Sequence, residues 1–203
     1  MKDVLSEIEK YKLLPVVTLH DEEEAVKVLG ALGKGGLPMA EICFRTPYAP
    51  QALALAEKFP DMMFGAGTVL DAKSCTLALD AGAKFVVSPG LSEEVNAVCR
   101  ERGVPYFPGI VTPTELMRAL ALGIGSVKFF PASDFGGVKA IRALSAAFPM
   151  VRFMPTGGVS LENIREYLSL SCVFACGGSW MVKGTETEII EKTRAALAAA
   201  QGV

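Results

Sequence analysis

Lys128 stands inside the apolar run Ser126-Val127-Lys128-Phe129-Phe130-Pro131. Strand residues alternate faces, so a lysine between Val127 and Phe129 points opposite to both, and if those two pack against helices Lys128 faces the interior. An ammonium there carries a desolvation cost that favours the neutral amine, the form that attacks a carbonyl carbon to make a Schiff base. The plain alternative is an edge lysine whose head group reaches solvent. In Ala40-Glu41-Ile42-Cys43-Phe44-Arg45 the period of two places Glu41, Cys43 and Arg45 on one face, with Ile42 and Phe44 on the other, against helices. At about 3.3 Å per residue, Glu41 and Arg45 lie roughly 13 Å apart along the strand, too far for one tight ion pair unless the arginine folds back. They therefore serve different atoms. An interior carboxylate suits a general base that shuttles protons, and an arginine at the mouth suits a bidentate grip on a carboxylate. A Glu–Arg bridge that merely fills the interior is the competing reading.

Two glycine pairs carry a neighbouring hydroxyl: Thr156-Gly157-Gly158 and Gly177-Gly178-Ser179. Glycine lets backbone N–H groups approach an anion closely, and in a barrel the loops after the seventh and eighth strands commonly hold a phosphate. Either pair alone would be read as a tight turn. His20, the single histidine, reads as a polar strand end, and one histidine leaves no cluster for zinc or iron, although an all-oxygen magnesium site stays open. Trp180 is expected to pack at a helix start. The cysteines Cys43, Cys75, Cys99, Cys172 and Cys176 are odd in number, lack any C-x-x-C pair and sit mostly in apolar runs, so reduced core thiols are expected.

Elements that could position these residues recur at regular intervals. Short β-branched or aromatic runs cover Leu14 to Leu19, Met39 to Phe44, Met62 to Phe64, Phe85 to Ser88, Val104 to Phe107, Ser126 to Phe130, Val151 to Met154 and Cys172 to Cys176. Their spacing of about 20 to 25 residues is that of one strand, one helix and two short turns, with no gap for a linker. Helix starts are marked by Asp21 before three glutamates, Ser92, Thr112-Pro113 and Ser160-Leu161-Glu162. Stops are marked by Gly35-Gly36, Phe59-Pro60, Gly82, Gly103, Gly123 and Phe148-Pro149. Runs such as Phe85-Val86-Val87 read as buried on both faces, the parallel-sheet pattern. Eight βα units close most economically into an α/β (β/α)8 TIM barrel, here with an N-terminal helix, and an open doubly wound sheet is the alternative. In a barrel the reacting groups gather at the C-terminal ends of the strands, which is where the unusual residues fall.

The 203 residues, 22 acidic against 20 basic for a net charge of −2, read as one domain over 1–203. A hydrophobic share of 51% and a mean hydropathy of +0.37 exclude a disordered chain, and the even charge excludes a basic face for nucleic acid. No apolar run approaches the roughly 20 residues of a bilayer span, so a membrane partner is excluded and a cytoplasmic location without a signal peptide is expected.

Six segments in order, Glu41-Ile42-Cys43-Phe44-Arg45-Thr46, Gly65-Ala66-Gly67-Thr68-Val69, Ser88-Pro89-Gly90, Lys128-Phe129-Phe130-Pro131, Pro155-Thr156-Gly157-Gly158 and Gly177-Gly178-Ser179-Trp180, resemble the 2-keto-3-deoxy-6-phosphogluconate aldolases, the KDPG/KHG aldolase family, over nearly the whole chain. The resemblance implies a homotrimeric class I aldolase that needs no metal or cofactor and cleaves a phosphorylated keto-acid to pyruvate and glyceraldehyde 3-phosphate. By the same resemblance, Lys128 is the Schiff-base lysine and Glu41 the acid/base. Arg45 and Thr68 hold the pyruvate carboxylate, Pro89 and Phe130 shape the site, and Thr156, Gly157, Gly158, Gly178 and Ser179 receive the distal phosphate. Many relatives continue the lysine strand as Pro-Ala-Glu, where this chain has Pro131-Ala132-Ser133-Asp134, and Thr18-Leu19-His20 offers no residue to assign. A preference for 4-hydroxy-2-oxoglutarate or the galactonate epimer is the nearest rival, and a non-catalytic sugar-phosphate-binding barrel is the rival from another class.

Overall fold

Helix starts in this chain are chemically capped. The side chains of Asp21, Ser92 and Thr112 each accept a hydrogen bond from the backbone N–H three residues on, and Asp71 and Thr185 do the same. Each such cap stabilises its helix by about 1 kcal/mol. The computed structural model describes residues 3–202, so Met1, Lys2 and Val203 of the predicted 1–203 unit lie outside the described residues. In chain order the elements are α1 (Val4–Tyr11), β1 (Leu13–Val17), α2 (Glu22–Lys34), β2 (Met39–Cys43), α3 (Ala49–Ala54) and β3 (Met63–Gly67). Next come α4 (Ala72–Asp80), β4 (Val86–Val87), α5 (Glu93–Arg102), β5 (Tyr106–Phe107), β6 (Gly109–Ile110) and α6 (Pro113–Ala121). The chain finishes with β7 (Ser126–Phe129), α7 (Gly137–Ala147), β8 (Arg152–Pro155), α8 (Ile164–Leu168), β9 (Cys176–Gly178) and α9 (Glu186–Gln201). A 3₁₀ turn at Leu55–Lys58 extends α3, and another at Trp180–Val182 precedes α9.

The strands form a curled parallel sheet with helices against it. Six pair in the order β5-β4-β3-β2-β1-β9 and three in the order β6-β7-β8, and every registered pair is parallel. Helices between successive strands make parallel pairing possible, and burial on both faces follows. β1 and β2 are buried along their whole length, and Phe85, Phe129 and Phe153 are fully enclosed. The N-terminal helix is present as α1. No helix among the described residues is long and apolar enough to cross a membrane.

Strand boundaries depart from the sequence pattern where glycine is involved. The third strand runs on through Gly65 and Gly67, which pair in register with Glu41 and Cys43. The fifth run, Val104 to Phe107, is followed beyond its expected end by a further short strand, β6, with Pro108, which has no N–H to give the ladder, between β5 and β6. The last strand is not Cys172 to Cys176 but Cys176–Gly178, so Gly177 and Gly178 belong to the sheet and not to a following loop. Ser160-Leu161-Glu162 does not start a helix. Ser160 Oγ donates to the Glu162 carboxylate, the Ser160 N–H goes to Asn163 Oδ1, and α8 begins only at Ile164. The cysteines are free thiols, four of them buried, with Cys75 and Cys99 Sγ atoms 3.6 Å apart between α4 and α5.

Gly65 shows why a low-propensity residue sits in a central strand: a Cβ there would stand 2.1 to 2.3 Å from three ring carbons of Phe85. Gly65→Ala is expected to destabilise the protein by about 1–3 kcal/mol, the usual cost of overpacking. Urea unfolding should show a lower midpoint with an unchanged slope, and adding Phe85→Leu should recover part of the loss.

Candidate active site

Lys128 and Glu41 meet inside the sheet. β7 carries Lys128 between Gly109 on β6 and Met154 on β8, while β2 carries Glu41 between Val16 on β1 and Gly65 on β3. Lys128 Nζ lies 3.2 Å from Glu41 Oε1, and the two side chains are 6% and 0% exposed, which rules out a lysine reaching solvent. Space for the carboxylate comes from β3: a Cβ on Gly67 would stand 2.2 Å from Glu41 Oε1. Glu41 Oε2 is buried and has no hydrogen-bond partner. A buried carboxylate oxygen without a partner is costly in the free protein and is placed to receive a proton or a ligand donor. The arrangement can present an amine to a carbonyl carbon with a proton acceptor at its side.

Arg45 lies just beyond the end of β2, exposed, and its Nε donates to Thr68 Oγ1 at 3.2 Å. Thr68 sits at φ +56°, a left-handed conformation that costs a β-branched residue about 1–2 kcal/mol and is concentrated at binding sites. Cys43 lies on this inward face, as the strand period predicts, with Sγ 4.0 Å from Glu41 Oε1. Burial, reinforced by the Glu41 charge, pushes its thiol up to about 11, so it stays protonated at neutral pH.

A cavity of about 640 Å³ opens beside this pair, and Arg45, Phe130, Thr156, Gly157, Gly158, Gly178 and Ser179 line it. Lys128 lies behind that wall, its Nζ 5.1 Å from the centre of the Phe130 ring. Thr68 reaches the cavity through Arg45. Pro89 is outside the lining and packs on β6, the strand beside the lysine strand, since a Cβ on Gly109, the register partner of Lys128, would meet the Pro89 carbonyl at 2.1 Å. Gly157 and Gly158, at φ +94° and +72°, turn the chain in a way that other residues adopt only with strain. A Cβ on Gly158 would also strike Ser133 Oγ at 2.2 Å, so Ser133, the departure from Pro-Ala-Glu, packs against this loop. Gly178 is glycine for another reason: a Cβ would stand 1.9 Å from the Trp180 ring.

The cavity wall includes residues that no motif marked, among them Val16, Thr18, Glu24, Val182 and Lys183. Thr18 lies within the legible run Leu14 to Leu19, one residue past the end of β1, but Lys183 follows an apolar tripeptide with no period to give it a direction. His20 is exposed, with its ring Nδ1 2.9 Å from Glu24 Oε2. Trp180 begins a 3₁₀ turn with Nε1 buried and unpartnered. A second cavity, of about 660 Å³, lies at the opposite ends of the strands, beside Tyr106 and Ser126, and holds none of these groups.

Two outcomes follow from this geometry. Thr68→Gly should relieve the left-handed strain, less glycine's own entropy cost, for a net gain of about 0.5–1 kcal/mol and a Tm rise of about 1–3 °C. The same variant loses the Arg45 contact and should turn over more slowly, so a calorimetric scan and an activity assay should move in opposite directions. For Cys43, a pKa raised above the free-thiol value leaves thiolate scarce below about pH 10, so iodoacetamide at pH 8 should label Cys172 and spare Cys43 on peptide mapping.

The family model described as KDPG and KHG aldolase matches residues 4–196. The 2-dehydro-3-deoxy-phosphogluconate aldolase of Treponema pallidum is 46% identical over 183 residues, covering 90% of this chain and 87% of the relative. The solved 2-keto-3-deoxy-6-phosphogluconate aldolase of Zymomonas mobilis with 3-phosphoglycerate superposes with a TM-score of 0.92 at 34% identity, covering 98% of this chain and 96% of that one. The Legionella pneumophila KDPG aldolase, with pyruvate captured as a covalent carbinolamine, gives a TM-score of 0.87 at 35% identity, covering 98% and 97%. Likeness that extends through nearly the whole length, in sequence and in backbone alike, makes this chain a member of the KDPG and KHG aldolase family.

Proposed function

We propose that this chain is a class I aldolase that cleaves 2-keto-3-deoxy-6-phosphogluconate to pyruvate and glyceraldehyde 3-phosphate. The observation that carries the reading is the buried Lys128 amine 3.2 Å from a carboxylate whose second oxygen has no partner. Lys128 Nζ adds to the C2 keto carbon, and the carbinolamine loses water to give an iminium. Glu41 relays the protons for both steps. Removal of the C4 hydroxyl proton by a base then breaks the C3–C4 bond, releasing the aldehyde while the bond's electron pair flows into the iminium to leave an enamine. Protonation of the enamine carbon and hydrolysis return pyruvate and free Lys128.

Arg45 and Thr68 grip the pyruvate carboxylate, and Pro89 and Phe130 wall the reacting carbons. Thr156, Gly157, Gly158, Gly178 and Ser179 take the distal phosphate, where charge-assisted hydrogen bonds contribute about 1.5–3 kcal/mol each. No cofactor enters the scheme. The family name also covers 4-hydroxy-2-oxoglutarate, which would use the same lysine with a carboxylate in the distal place.

The curled sheet closes, in this reading, as a (β/α)8 barrel within one domain. Two observations support closure: Lys128 N–H donates to Pro108 O at 2.9 Å beside the β5–β6 break, and bridges Phe153–Val173 and Thr156–Gly177 join β8 to the segment of β9. A cytoplasmic homotrimer completes the proposal, supported by exposed Leu70, Leu77 and Met117, which a second copy would cover.

Borohydride reduction in the presence of pyruvate is expected to add one pyruvate-derived mass to the peptide holding Lys128. Label on Lys84, Lys139 or Lys183 instead would refute the assignment, and absence of any label would favour a non-catalytic binding barrel.

A further inference from the structure

Two cations line the cavity, the Arg45 guanidinium and the Lys183 ammonium, and the grip on the pyruvate carboxylate uses only the first. Lys183 lines the same wall as Gly157, Gly158 and Ser179. Among the described residues its side chain has no hydrogen-bond or ion-pair partner, while its backbone is fixed from both sides. Lys192 Nζ donates to the Lys183 carbonyl at 2.7 Å, and Gly184 follows at φ +117°, turning the chain into α9. The neighbouring acid, Glu188, is occupied in the α9 cap, with Oε2 accepting from Thr185 N at 2.7 Å and Thr185 Oγ1 at 2.9 Å. Glu24, the carboxylate in the cavity wall, is likewise held, its Oε2 accepting the His20 backbone N–H at 2.9 Å.

We infer that Lys183 is a specificity-determining residue, whose free ammonium makes the distal end of the cavity select a doubly charged phosphate over a singly charged carboxylate. This deepens the aldolase reading and rests on it. The other donors in that wall, backbone N–H groups and the hydroxyls of Thr156 and Ser179, are neutral and serve either anion, and the one carboxylate there, Glu24, already accepts the His20 N–H. A full charge responds to the ligand's charge more strongly than a dipole does, because charge–charge attraction scales with it and falls off more slowly with distance. An exposed lysine on a rigid backbone loses less entropy on engaging a ligand than one on a mobile loop.

The test compares two substrates in Lys183→Met and Lys183→Arg. In Lys183→Met, kcat/KM for the phosphorylated substrate should fall at least about tenfold, equivalent to 1.4 kcal/mol, chiefly through KM. For unphosphorylated 4-hydroxy-2-oxoglutarate, whose distal carboxylate carries half the charge, it should fall only about threefold, and Lys183→Arg should keep most of the preference. The gap between wild type and Lys183→Met should narrow as sodium chloride is raised. An equal loss on both substrates, or an unchanged ratio between them, overturns the inference. Calorimetric titration with glycerol 3-phosphate needs no chemistry at Lys128 and should weaken by a similar factor. If it does weaken while borohydride traps no pyruvate, the aldolase reading fails and the role of Lys183 stands.

Discussion

A buried ammonium and a buried carboxylate, brought together from strands 87 residues apart in sequence, set the terms for everything around them. Removing either charge from water costs several kcal/mol, and their attraction repays it only when the geometry is tightly held. β2 and β7 belong to different stretches of the sheet, so the pair ties the six-stranded stretch to the three-stranded one across the interior. Glycine at position 67 is a direct consequence, since the Glu41 side chain fills the space where another residue's Cβ would be. The lone oxygen Glu41 Oε2 is the part of the arrangement that the fold leaves unsatisfied, and an unsatisfied buried acceptor is tolerated where a ligand completes it.

Strain and stability are kept in separate places. Thr68 holds a left-handed backbone next to Arg45, and the paired glycines at 157 and 158 turn sharply at the cavity. Stabilising features lie elsewhere, in the capped starts of α2, α4, α5, α6 and α9 and in the enclosed phenylalanines. The capped helices satisfy their own N–H groups with their own side chains, while α8, which follows the Gly157-Gly158 turn, has no side-chain cap.

The alternation of strand residues made Glu41, Cys43 and Arg45 legible as one face, and the apolar neighbours of Lys128 made its direction legible too. Family resemblance supplied roles that period and spacing do not reach. Strand ends were misread where Gly65, Gly67, Gly177 and Gly178 continue the ladder, because glycine's low strand propensity hides positions that are small for steric reasons. Cys43 was visible on the right face yet was grouped with the other thiols by composition. Lys183 was invisible for a different reason: its place depends on how a 3₁₀ turn and a glycine at positive φ aim the chain, and neither has a sequence period.

The last helix descends from the cavity side of the sheet and packs against α1, which itself leads into the start of β1. At 1.5 Å per residue, the 16 residues of α9 carry the chain about 24 Å from the level of Lys183. α1 and α9 therefore meet on the face remote from the chemistry. A peptide laid across that face from the end of α9 to the start of α1 would make the molecule a closed ring, and the ring could be cut at a turn on that same remote face without moving a residue of the mouth. Chain order is thus a historical label on this architecture: what the catalytic pair requires is the cyclic succession of strands, wherever that cycle happens to be opened.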